Sequence, residues 1–205
     1  NFVDINLFKP VKKKNKIPIL FWVGRLTPVK GVDVLIKIMQ AILKQKKVFL
    51  QIAGNGPDEK RLHQLVKDYK LEKNVQFLGS LDHNTQLPKV MANTNIFVSP
   101  SLSGFTLIEA AACGLPIIAA DIEWTNEIIK NFETGILVKH NSEKELVNAI
   151  LKLVENPTLV KKIGNGARKL VENQLSLDSW KKRELEIYKK AMIEKVWNFM
   201  EKFAA

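Results

Sequence analysis

Two cations, Arg25 and Lys30, fall inside Gly24-Arg25-Leu26-Thr27-Pro28-Val29-Lys30-Gly31, which joins an apolar run ending at Gly24 to a helical pattern beginning near Val32. At a helix start the first backbone N–H groups lack intrahelical acceptors and the dipole is positive, so phosphate is favoured there. Arg25 would add a planar fork of donors and Lys30 a mobile point charge. Each charge-assisted hydrogen bond contributes about 1.5–3 kcal/mol, so two such groups on a diphosphate would supply much of a micromolar affinity, about −8 kcal/mol. The plainer alternative is a pair of solvated cations in a connecting loop.

A second turn, Gly54-Asn55-Gly56-Pro57, follows the next apolar run. Gly54 and Gly56 permit either an ordinary tight turn or a close approach of backbone to a ligand. The most informative stretch is Ser99-Pro100-Ser101-Leu102-Ser103-Gly104-Phe105-Thr106-Leu107-Ile108-Glu109, continuing through Ala110 to Gly114 and Pro116. A strand enters a small polar loop and a helix leaves it, which predicts unpaired N–H donors over Gly104, Phe105, Thr106 and Leu107. Glu109 lies in the first turn of that otherwise apolar helix. Its carboxylate either complements the helix dipole or offers acceptor oxygens to the diol of a sugar or ribose, and charge alone leaves both open. His63, His83 and His140 are far apart and read as surface or loop residues. Asp58, Asp121 and Glu123 lack the spacing of metal ligands, and the single Cys113 excludes an internal disulfide and a cysteine-cluster metal site.

These loops need elements to hold them. Short apolar runs predict strands over Ile17–Val23, Val48–Ala53, Val75–Leu78, Ile96–Val98, Leu115–Ala119 and Gly135–Val138. Helical spacing falls between them at Val32–Leu43, from Pro57 through Tyr69, at Gln86–Ala92 with Pro88 in its first turn, and at Thr106–Cys113. Ser142–Glu155, with Ser142 and Glu145 as a capping box, and Pro157–Val171 follow. Strand and helix alternate, and the strands show no in-out pattern. That is the signature of an α/β fold with a parallel sheet and helices on both faces. In such sheets ligands bind beyond the carboxyl ends of the strands, so the loops after Val23, Ala53, Leu78, Val98 and Ala119 should line the site. The tail from Leu177 to Phe203 carries Trp180, Ile187, Tyr188, Met192, Val196, Trp197 and Met200. It either wraps this domain or presents apolar surface to another partner.

The chain has 205 residues, 46% hydrophobic and 26% charged, enough for one sizeable core with a terminal appendage. No apolar run reaches the roughly 20 residues of a membrane span. The opening Asn1-Phe2-Val3-Asp4 lacks an initiator Met and a signal-peptide layout, and reads as a boundary inside a longer chain. The net charge is +11, with clusters at Lys12-Lys13-Lys14, Lys44 to Lys47 and Lys181-Lys182-Arg183. No basic stripe interleaved with aromatics accompanies it, which argues against nucleic acid and leaves a peripheral contact with an acidic membrane surface open.

Gly24-Arg25-x4-Lys30-Gly31, then Gly54-x-Gly56-Pro57, then Ser99-Pro100-Ser101 through Gly104, Thr106-Leu107-Ile108-Glu109-Ala110 and Gly114-x-Pro116 together resemble the C-terminal domain of family 4 glycosyltransferases. The opening Asn1-Phe2-Val3-Asp4, with Phe8-x-Pro10, is similar to the segment leading into that domain. The resemblance covers residue 1 to about residue 172 and implies the C-terminal half of a GT-B fold: two Rossmann-like domains with the active cleft between them. Residues 1–16 would be an interdomain linker, 17–172 the donor-nucleotide-binding domain, and 173–205 a helical tail packing toward an N-terminal domain. Arg25 and Lys30 would contact the diphosphate, with Gly24, Gly54 and Gly56 in the adjoining loops. Gly104, Phe105, Thr106 and Leu107 would offer backbone N–H groups, and Glu109 would accept from the ribose hydroxyls. Gly79 to Asp82, Leu81 included, would meet the base.

The implied activity is transfer of a hexosyl group from a UDP- or GDP-linked sugar to a glycan or lipid-linked acceptor, with retention, without a cofactor or bound metal, in the cytoplasm. This domain alone would be inactive. Two departures stand out. The family's first glutamate, eight positions before Glu109, falls on Ser101, and Asp121-Ile122-Glu123-Trp124 replaces a Gly-Gly-containing stretch, with Glu127 near the usual acidic position. Ser101 leaves open a non-catalytic nucleotide-binding or assembly module.

Overall fold

The computed structural model describes residues 2–11, 15–102, 104–122 and 124–201, with side chains through residue 193. The Lys12-Lys13-Lys14 cluster, Ser103, Glu123 and the side chains of Val196, Trp197, Met200 and Phe203 lie outside the described part.

Among the described residues the strands are β1 (Ile19–Val23), β2 (Phe49–Ala53), β3 (Val75–Gly79), β4 (Ile96–Ser99), β5 (Ile117–Ala120) and β6 (Ile136–Val138). They form one parallel sheet in the order β3-β2-β1-β4-β5-β6. The helices are α1 (Val32–Leu43), α2 (Glu59–Asp68), α3 (Leu87–Asn93), α4 (Thr106–Ala112), α5 (Thr125–Ile128), α6 (Glu143–Glu155), α7 (Pro157–Leu170) and α8 (Leu177–Glu201). This is the Rossmann-like parallel sheet that the alternation predicts, with element ends moved by a residue or two.

Both faces of the sheet are covered. In β1, Leu20 and Trp22 pack into one core with α1, α2 and α6, through Leu35, Ile36, Met39, Leu62 and Ile150. Phe21 points the other way, into a core built with Phe97, Leu107, Ala111, Ile117 and Ala167 from β4, α4, β5 and α7. Successive side chains of a strand face opposite ways, and in β1 both destinations are dry, so every position from Ile19 to Val23 is apolar.

Local differences have physical causes. The helix predicted from Pro57 begins at Glu59, because Pro57 and Asp58 form a turn and the Asp58 carboxylate is held by Arg61 at 2.6 and 2.7 Å. The capping box closes on one side only. The Glu145 N–H reaches Ser142 Oγ at 3.4 Å, while the Glu145 carboxylate takes the Lys139 N–H at 2.7 Å. Helix α5 has four residues, too short for any periodicity, and hangs on buried Thr125, whose hydroxyl donates to Ala120 O and Ile122 O.

The opening segment is packed, although its sequence reads as a linker. Val3 and Phe8 are buried in the second core. The Val3 N–H donates to Leu175 O at 2.9 Å, and the Leu177 N–H donates to Val3 O at 3.3 Å. Arg168 donates to the carbonyls of Phe8 at 2.9 Å and Ala112 at 2.6 Å, and reaches Ile5 O at 3.3 Å. At the other end, Trp180 meets Phe2 with ring centroids 4.9 Å apart. Beyond that contact Ile187, Tyr188 and Met192 are 60%, 65% and 68% exposed, so α8 does not wrap this domain through residue 193. Among the described residues no helix is long and apolar enough to cross a membrane.

Candidate functional site

The connections from β1 lead outward through β2 and β3, and those from β4 lead the opposite way through β5 and β6. The sheet therefore changes direction between β1 and β4, and a crevice opens beyond their carboxyl ends. Two loops flank it: Gly24 to Gly31 after β1 and Pro100 to Phe105 after β4.

The first loop closes with a short 3-10 turn, Pro28–Lys30, and Gly31 caps α1 at φ 67°. Lys30 Nζ donates to Leu102 O at 2.9 Å, and Ser101 Oγ donates to Val29 O at 2.7 Å. The two loops are thus bonded across the crevice. Arg25 is exposed, and among the described residues its guanidinium has no hydrogen-bond or ion-pair partner. Ser101 is buried, its hydroxyl committed to the neighbouring loop.

Gly54 and Gly56 have a packing reason of their own. Gly54 has φ 119°, and a Cβ there would lie 1.9 Å from Gly24 O. A Cβ on Gly56 would lie 2.2 Å from Leu26 O. The loops after β1 and β2 run in contact, joined by the Leu26 N–H to Asn55 O at 2.8 Å, and only glycine fits that approach. Above Gly79 and Gly104, by contrast, a Cβ meets nothing within 4 Å, so the space there is open.

At the start of α4 the N–H groups of Gly104, Phe105 and Thr106 have no acceptor among the described residues. Leu107 departs from the prediction: its N–H turns back to Gly104 O at 3.3 Å, the ordinary closure of a first turn. The Phe105 ring is exposed. With Thr106 and Glu109 it lines a cavity of about 550 Å³, which Phe2, Val3, His83, Leu87 and Ile108 complete. Arg25 and Lys30 do not line this cavity.

Glu109 is 7% exposed. Its Oε1 lies 2.7 Å from His83 Nε2, and among the described residues its buried Oε2 has no partner. A buried acceptor left unpaired costs about 1–3 kcal/mol, so a hydroxyl donor placed against this oxygen would be favoured. The hydrogen bond to Glu109, with a second to Asn84, raises the His83 pKa against a smaller effect of burial. The Phe8 ring meets the His83 ring edge-on at 5.5 Å. Leu81 is half-buried against the second core. Asp82 closes the turn after it by accepting from the N–H groups of Asn84 and Thr85 and from the Thr85 hydroxyl.

His83 is on a surface loop, as its sequence context suggests, yet sequence alone gives no sign that it meets Glu109. Its only signal is a place just past Gly79, at a strand end that faces the crevice. His63 stacks on Phe77 and His140 is exposed, away from the Glu109 wall.

The family of group 1 glycosyl transferases matches residues 4–170. An uncharacterised glycosyltransferase of Methanocaldococcus jannaschii is 35% identical over 185 residues, covering 87% of this chain and 45% of that protein. The chain thus spans about half the length of the curated relatives it matches. Sucrose-phosphate synthase from Thermosynechococcus elongatus superposes with a TM-score of 0.82 at 26% identity, over 94% of this chain and 52% of that one. A variant of Staphylococcus aureus TarM, solved with fondaparinux, alpha-GlcNAc-glycerol and UDP, superposes at 0.77 with 25% identity, over 92% and 38%. Fold, loop order and matched length agree, and the chain belongs to the group 1 glycosyltransferases.

Proposed function

We propose that this chain is the donor-binding domain of a two-domain hexosyltransferase. It holds a UDP- or GDP-linked sugar, and a second domain, toward which α8 extends, presents a glycan or lipid-linked acceptor. The carrying observation is Glu109, a buried carboxylate with one oxygen unpaired among the described residues, in the wall of a cavity at the start of α4. A ribose diol supplies the hydroxyl that this acceptor lacks. The order of the three motif stretches supports family 4 within the larger group.

Arg25 and Lys30 meet the diphosphate, whose negative charge grows as the sugar departs. Fixed cations and N–H groups that need no reorientation stabilise that charge more than they stabilise the ground state, which lowers the barrier. Lys30 serves without leaving Leu102, since an ammonium has three donors and one is engaged. Gly104, Phe105 and Thr106 offer backbone N–H groups to the phosphates, and Leu81 borders the base. No cofactor enters this scheme, and retention follows the family pattern. The chain alone binds donor without turnover, because the acceptor side is contributed by the second domain. The charge of +11 supports cytoplasmic work near an anionic membrane surface.

Calorimetry of the chain with UDP and GDP tests this. The expected result is micromolar binding of one of them, weakened about tenfold or more by Arg25→Ala. No binding of either nucleotide would overturn the assignment.

One observation favours a second reading, a binding or assembly module without turnover. Ser101 stands where the family's first glutamate falls, and its hydroxyl is bonded to Val29 O. A hydrolysis and transfer assay on the full-length protein across common donor sugars decides between them.

A further inference from the structure

We infer that His83 is a positioning residue for Glu109: by holding one carboxylate oxygen it fixes the carboxylate in the cavity wall, in the orientation that a ligand diol meets. This inference rests on the donor-binding assignment. The terminal torsion of a glutamate is soft, so a carboxylate with a single partner takes its orientation from that partner. Among the described residues His83 is the partner of the Glu109 side chain, at 2.7 Å, and the second oxygen is buried and unpaired. His83 is itself held from two sides. Asn84 Oδ1 lies 3.2 Å from its Nδ1, and the Phe8 ring packs edge-on against it at 5.5 Å. Phe8 in turn is fixed through its carbonyl by Arg168. Glu109 is thus reached by a chain of contacts that begins in the opening segment of the protein.

The charged groups acting on His83 are Glu109 from α4 and Asp82 on its own loop. Both favour the imidazolium, which accords with Nε2 and Nδ1 each facing an acceptor oxygen. As the pH rises through the His83 pKa, the Glu109 carboxylate loses its charged donor and is held less firmly toward the diol. Ligand affinity falls.

The test is calorimetry of the chain with UDP or GDP, whichever it binds, and with the matching 2′,3′-dideoxynucleoside diphosphate, from about pH 6 to about pH 8.5, a window that brackets histidine titration. His83→Ala should weaken the diol-bearing nucleotide about tenfold, the worth of one hydrogen bond to a charged group, and leave the dideoxy nucleotide unchanged. His83→Gln, which keeps an N–H donor and cannot titrate, should recover most of the affinity and lose the pH dependence that distinguishes it from the wild type. The phosphate's own titration is common to both proteins. Melting curves establish that each variant is folded. An equal loss for both nucleotides, or no loss in His83→Ala, would overturn the positioning role and leave the donor-binding assignment standing. If the unsubstituted chain binds neither nucleotide, the assignment fails and takes this inference with it.

Discussion

Lys30 donates from Nζ to the carbonyl oxygen of Leu102 across 2.9 Å, and this bond ties the loop after β1 to the loop after β4 where the sheet changes direction. With Ser101 bonded to Val29 in parallel, the two sides of the crevice are held in register before any ligand arrives. A preformed cradle keeps more of its binding energy, since less ordering remains to be done on association.

Lys30→Ala should therefore act twice. Losing the tie should lower stability by about 1 kcal/mol, and losing the cation should weaken nucleoside diphosphate binding about tenfold. Urea unfolding and calorimetry on the same preparation separate the two effects.

Gly54 and Gly104 should respond oppositely to alanine. Gly54→Ala drives a Cβ into Gly24 O at φ 119° and should cost about 3–5 kcal/mol. Gly104→Ala meets open space and should stay within about 0.5 kcal/mol of the parent. Denaturant midpoints decide it; equal effects would contradict the close contact of the loops after β1 and β2.

Restoring the family's glutamate should not restore its chemistry. Ser101 is buried, and its Cβ lies 3.3 Å from where a Cβ on Gly31 would sit. Ser101→Glu places an unpaired charge in that gap and should destabilise by about 2–4 kcal/mol. Ser101→Ala, which loses the bond to Val29 O and brings in no charge, should cost about 1 kcal/mol. Thermal unfolding of the pair provides the comparison.

Arg168 should prove a stability residue with a local signature. Arg168→Met keeps the stem and removes the donors to Phe8 O and Ala112 O, for an expected loss of about 2–4 kcal/mol. Hydrogen exchange at the Val3 amide, bonded to Leu175 O, should accelerate more than exchange in β1.

His83 should titrate above the ordinary histidine value, and in Glu109→Gln that elevation should largely vanish. Because the folded-state pKa is the higher one, the pair's contribution to stability is full below the unfolded pKa and is lost as the pH rises through the folded pKa. NMR titration of the imidazole carbons reads both proteins.

Much of this molecule was legible from residue order. The apolar runs, the helical spacings and the turn glycines carry local information, because strand, helix and turn preferences act over a few residues. They gave the parallel sheet, α1 from Val32 to Leu43, and the loops of Arg25, Lys30 and Gly104 at its carboxyl edge. Features that depend on distant contacts were not legible. Four-residue α5 hangs on Thr125, and the opening segment owes its packing to Arg168, 163 positions from Ile5.

Sequence by itself determined which groups carry charge and which strand ends they follow, since side-chain chemistry and periodicity are properties of the chain. Tertiary structure alone decided that Glu109 is buried, with one oxygen unpaired among the described residues, and that His83, 26 residues earlier, takes the other. It also decided that Gly54 and Gly56 are required by neighbouring backbone. Desolvation and hydrogen-bond partnership arise only when distant segments are brought within a few ångströms, and no local pattern encodes that proximity.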